Sequence, residues 1–95
     1  MQTTLIIELE AKADSLAELH TILASVRETL PGTKGCRDFR ILQSPDTPAK
    51  VTLIEEWSSR AAHQAHISDL VASGGWDALA ALLASAPVST YYEAA

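Results

Sequence analysis

Cysteine is almost missing from this chain: Cys36 stands alone among 95 residues. A single thiol gives no disulfide framework and fits a reducing compartment. Positive charge is also sparse. Seven Lys and Arg face twelve Asp and Glu, leaving a net charge of −5. The basic residues are scattered, so the clustered phosphate contacts of a nucleic-acid binder are not expected. Long apolar runs are absent too. No stretch nears the roughly 20 residues that cross a bilayer, and the alanine-rich segment from Trp76 to Ala86 is too short and carries Asp77 near its start. Met1 to Thr4 brings no basic residue, and Glu8 and Glu10 interrupt the first apolar stretch. A secretory leader is therefore not expected, and a cytoplasmic protein is. There is no glycine-rich phosphate loop, no Cys-x-x-Cys pair and no nucleophile elbow.

What remains is ordinary globular composition, 47% hydrophobic and 20% charged, in a length that suits one domain spanning residues 1–95. Thr3 to Ala11 alternates as a strand, with Leu5, Ile7 and Leu9 on one face and Ile6, Glu8 and Glu10 on the other. Asp14 or Ser15 opens a helix, and Ser15 with Glu18 fits a capping box. Leu16, Leu19, Leu23, Val26 and Leu30 then form one helical stripe, which Pro31-Gly32 ends. Cys36 to Gln43 reads as a strand with Phe39 and Ile41 on one face and Leu42 on the other. The turn Ser44 to Pro48 leads into a third strand, Lys50 to Trp57, with Val51, Leu53, Glu55 and Trp57 on one face. Ser58 or Ser59 caps a helix reaching about Ser73, and Gly74-Gly75 breaks it. A short helix over Trp76 to Ala84 and a strand over Val88 to Glu93 complete the chain.

This order predicts an α+β domain, the ferredoxin-like split β-α-β arrangement with a four-stranded antiparallel sheet. The helices cover one sheet face. The other carries Ile6, Ile54 and Leu42 or Ile41 with no helix left to cover it, so a homodimer is expected.

The segment "PGTKGCRDFRILQSPDTPAKVTLIEEWSSRAAHQAH", Pro31 to His66, resembles the antibiotic biosynthesis monooxygenase (ABM) family. The resemblance is carried by a helix ending in Pro-Gly, Gly-Cys before an aromatic strand, and the Pro-Asp turn. Its most specific part is the Glu-Glu-Trp strand end followed by the helix that reaches His66. The resemblance implies a dimeric α+β barrel. It also implies oxidation of a small aromatic quinol or phenol by molecular oxygen, with no metal or flavin cofactor.

The candidate site follows. Trp57 resembles the tryptophan that lines the pocket of polyketide-oxidising members; the plainer reading is a core aromatic. Those members carry an asparagine four residues earlier, where this chain has Leu53, and the sequence contains no asparagine at all. The haem-degrading branch carries an asparagine on its first strand, a tryptophan on the second helix and a later histidine; this chain departs at all three, with His66 and Trp76 at the latter two. His66, aligned with Ala62 and Leu70, is the candidate catalytic base, and His63 a weaker stand-in. Three residues apart on a helix, the two can share a side. They are too few to hold a metal without further ligands, so no metal site is expected. Phe39 and Trp76 are candidate pocket residues, Trp76 also serving as an anchor for the short helix. Tyr91 and Tyr92 must face opposite ways, and at most one points at a pocket. Cys36 is expected to be unreactive. Two other functions stay open: a non-catalytic dimeric module that binds a small aromatic molecule, and an isomerase or cyclase on the same scaffold.

Overall fold

The structure is a computed structural model and describes residues 2–95. Strand β1 (Thr3–Glu10) is followed by helix α1 (Leu16–Thr29) and a 3-10 turn at Leu30–Gly32. Strands β2 (Cys36–Gln43) and β3 (Lys50–Trp57), helices α2 (Arg60–Ala72) and α3 (Gly75–Ala80), and strand β4 (Val88–Tyr92) complete the order. The sheet runs β2-β3-β1-β4 with every neighbour antiparallel. This is the ferredoxin-like α+β fold.

Alternation decides which residues reach the core. Leu5, Ile7 and Leu9 of β1 lie beside Glu55, Leu53 and Val51 of β3, and all six are buried. Leu19 and Leu23 of α1 close over them, as the helical stripe requires. Burying a side chain of this size contributes roughly 1.5–3 kcal/mol relative to exposure. Cys36 and Phe39 are three residues apart, and strict alternation would place them on opposite faces. A bulge between Cys36 and Asp38 absorbs Arg37, so both turn inward.

Two expectations at chain turns are corrected. Ser15 does not form the capping box. Its backbone sits at φ −114°, ψ 4° with no cap hydrogen bond, and its hydroxyl donates to Asp14 Oδ1 at 3.3 Å. Ser59 is extended instead, at φ −161°, ψ 161°, and does cap its helix, accepting the Ala62 N–H at 3.1 Å. The last helix ends at Ala80, well short of Ala84. The backbone beyond it is recruited by β1: Lys12 N–H donates to Leu82 O, and Ala84 N–H donates to Glu10 O. Leu83 forms a bridge with Ala11, so Leu82 and Leu83 reach the core from the turn that follows the helix.

The far sheet face carries Ile6, Ile54, Arg40, Thr90 and Tyr92. Leu42, Val88 and Tyr92 are each about half exposed, at 49%, 55% and 50%. Among the described residues no helix packs on that face. Among the described residues, no helix is long and apolar enough to cross a membrane.

Candidate active site

The end of β3 and the first turns of α2 bring an unusual set of polar groups into the core. Glu55 occupies an inward position of β3 and is 5% exposed. Its Oε1 accepts the Trp57 indole N–H at 2.8 Å, the only hydrogen bond to the carboxylate among the described residues. Burial raises its pKa, and the indole N–H draws it partly back. Trp57 is fully buried. His63 meets its ring edge-on and His66 at a tilt, each with centroids 5.3 Å away.

His63 is also buried. Its Nδ1 lies 2.6 Å from the Tyr91 hydroxyl, while its Nε2 is buried with no partner. Burial first, and then the neighbouring His66 charge, push its pKa down to about 4. Burial lowers His66 as well, and Asp69 opposes the shift. Both rings are therefore neutral at pH 7, and His63, shifted so far down, holds a proton poorly there. Tyr91 pairs with Leu5 in the sheet and so faces the helices, leaving Tyr92 on the far face. The Arg60 guanidinium sits 4.3 Å from the centre of the Tyr91 ring. Burial raises the Tyr91 pKa, Arg60 opposes that rise and Glu55 adds to it.

An inner cavity of about 170 Å³ lies between sheet and helices, walled by apolar side chains together with Leu53, Glu55, His66 and Trp76. A second, more open cavity of about 240 Å³ is bordered by His63, Ser89 and Tyr91. Ile7, Ile67 and Trp76 line both and stand between them. His66 also borders a surface depression beside Gly35, Ser58 and Asp69, so its ring lies between the inner cavity and solvent.

Of the residues singled out from sequence, Leu53, His66 and Trp76 meet at the inner cavity and His63 at the outer one. Trp57 and Phe39 line neither; both are buried side chains of the core behind it. Cys36 is buried as well. Burial, and then the Glu55 charge, raise its thiol, with Asp38 acting in both directions. Among the described residues no three metal-ligating side chains converge. Glu55 is a site residue that sequence reasoning misses, and the sequence leaves Tyr91 and Tyr92 as alternatives for the pocket-facing tyrosine. A carboxylate at an inward position of an otherwise apolar strand face was the available signal for Glu55. For Tyr91 there was none without the register of β4.

Together these features define a ferredoxin-like domain with a cavity between its sheet and helices. The chain belongs to the antibiotic biosynthesis monooxygenase family, which residues 3–69 match. Solved structures share its fold at low identity. Rv0793 from Mycobacterium tuberculosis is 19% identical with a TM-score of 0.88, over 100% of this chain and 96% of that one. A protein from Nitrosomonas europaea bearing the family's name is 22% identical with a TM-score of 0.88, over 98% and 89%. SnoaB, a cofactor-independent oxygenase from Streptomyces nogalater, is 16% identical with a TM-score of 0.83, over 98% and 92%. No curated protein matches the sequence.

Proposed function

We propose that this chain is a monooxygenase that uses neither metal nor flavin and oxidises a small aromatic phenol or quinol in the inner cavity, working as a homodimer in the reducing cytoplasm. The observation that carries this reading is His66: a neutral imidazole on the wall of a largely apolar cavity that it shares with Glu55, with solvent on its other side. Family membership and the SnoaB fold support it. The cavity, at about 170 Å³, lies below the roughly 300 Å³ where sites for drug-sized ligands begin. One or two rings fit that space better than four.

The chemistry needs little from the protein. His66 takes the phenol's proton, and the phenolate passes an electron to oxygen. The resulting radical pair joins at a ring carbon, and the peroxide takes the proton back from His66. The O–O bond then breaks as that carbon loses its own hydrogen as a proton. One oxygen atom stays as a carbonyl and the other leaves as water. The cavity supplies orientation and excludes water. Leu53 and Trp76 line it with the buried Trp57 and Phe39 in the core behind, and His63, at the outer cavity and shifted far down by burial, is the weaker stand-in for the base.

Oxygen uptake by purified, metal-free protein given reduced menadiol tests the reading. Uptake above the spontaneous rate is expected, falling about 100-fold or more in His66→Ala. Uptake that survives His66→Ala overturns the assignment of the base. The apolar Leu53 favours a second reading, a non-catalytic binding module; menadiol binding with no uptake selects it.

A further inference from the structure

Glu55 asks for a partner that the chain does not supply. It is a carboxylate 5% exposed on the wall of the inner cavity. One oxygen holds the Trp57 N–H, and among the described residues no donor reaches the other. A buried carboxylate is costly unless its oxygens are hydrogen-bonded, and the indole N–H fills one place of the four or so that two carboxylate oxygens offer. The free oxygen belongs to a side chain that lines the cavity, so a ligand there that carries a donor can complete it.

We infer that Glu55 is the specificity-determining residue by which the cavity tells reduced from oxidised ligand, accepting a hydroxyl from a phenol or quinol and rejecting the carbonyl of the matching quinone. The inference rests on the reading of the inner cavity as the substrate site. Above its raised pKa, where Glu55 is ionised, a hydroxyl donates to the carboxylate, whereas a quinone carbonyl sets its own lone pairs against a negative oxygen. Desolvation inside the cavity sharpens both effects. Oxidation thus converts a ligand that Glu55 holds into one that it expels, and product release follows from the change of a donor into an acceptor. Glu55→Gln reverses the polarity at this one point. The glutamine oxygen still accepts the Trp57 N–H, and its NH₂ then faces the cavity as a donor to a carbonyl.

The test is anaerobic calorimetric titration with 1-naphthol and 1,4-naphthoquinone, two ligands of the same ring size. The wild-type chain is expected to bind the naphthol about tenfold or more tightly than the quinone, the size of a hydrogen bond to a charged group. Glu55→Gln is expected to erase or invert that ratio, while Glu56→Gln, whose side chain pairs with Thr4 on the far face, leaves it unchanged. Equal binding of both ligands by the wild type, a preference for the quinone, or no binding of the naphthol overturns the inference. So does an unchanged ratio in Glu55→Gln. Should that variant not fold, the wild-type pair of titrations still decides. Because no oxygen is present, discrimination and turnover fail separately: a chain that discriminates but takes up no oxygen keeps the role of Glu55 and loses the oxygenase reading.

Discussion

The Tyr91 hydroxyl lies 2.6 Å from His63 Nδ1 and ties edge strand β4 to helix α2. It is the only hydrogen bond made by the His63 side chain among the described residues, since Nε2 is buried and unpaired. Tyr91→Phe keeps the ring and removes the hydroxyl, leaving both ring nitrogens of His63 without partners. A buried polar group that loses its partner costs about 1–3 kcal/mol. Urea unfolding followed by circular dichroism should show Tyr91→Phe less stable by about that amount, with an unchanged slope. Tyr92→Phe, which removes a hydroxyl that makes no hydrogen bond among the described residues and keeps the ring, should unfold like the wild type.

The same histidine makes stability depend on pH. His63 has a folded pKa of about 4 against roughly 6.5 unfolded. Between those values the unfolded chain binds the extra proton, so stability rises with pH there and is full above the unfolded pKa. It is lost as pH falls from about 6.5 towards 4. Glu55, raised by burial, contributes with the opposite sign above its ordinary pKa, so the wild-type curve alone mixes the two. Subtracting the curve of His63→Gln isolates the histidine: the difference should grow as the pH rises from 4 to 6.5 and then level off. A difference that is flat over this window would show that His63 titrates as freely folded as unfolded.

Gly35 sets the seat of the two histidines. Its φ is +90°, and a Cβ there would meet the Ala62 Cβ at 2.6 Å and Ser58 Oγ at 3.1 Å. Its carbonyl accepts the Ser58 N–H at 2.7 Å, where β3 turns into α2. Gly35→Ala therefore adds backbone strain of about 1 kcal/mol or more and a steric clash that pushes the first turn of α2 away. Both stability and menadiol oxidation are expected to fall. Gly32→Ala, where a Cβ meets nothing within 4 Å, should change neither.

Much of the frame was legible because each element carries its own period. The alternation of Val51, Leu53, Glu55 and Trp57 already put Glu55 inside. It also put the Trp57 indole two residues on along the same face; what alternation could not convey was the cavity before the carboxylate, which depends on how the helices pack over the sheet. The bulge at Arg37 leaves no mark in composition, so the shared face of Cys36 and Phe39 emerged only from strand register. The choice between Tyr91 and Tyr92 likewise needed the pairing of β4 with Leu5 and Thr4. The shortening of α3 arose from hydrogen bonds to the end of β1, a contact between residues some seventy positions apart that no local pattern encodes.

The far sheet face supports the last prediction. Ile6 and Ile54 are direct partners across β1 and β3, half-buried in the isolated chain, with Thr90 beside Ile6 and Arg40 beside Ile54. Leu42 and Tyr92 extend the apolar surface on either side, both about half exposed. A second copy that sets its own sheet against this one removes that surface from water, and at about 25 cal/mol per Å² such burial favours association. It also brings the two Ile6–Ile54 pairs into the middle of the seam, where a lysine at 54 would lose water and lie beside the Arg40 cation. Light scattering at micromolar concentration should give twice the mass of the chain. Ile54→Lys should give the monomer mass, while Ala24→Lys, on the exposed outside of α1, should keep the dimer. A wild-type chain that stays monomeric at that concentration would leave the face without its proposed partner.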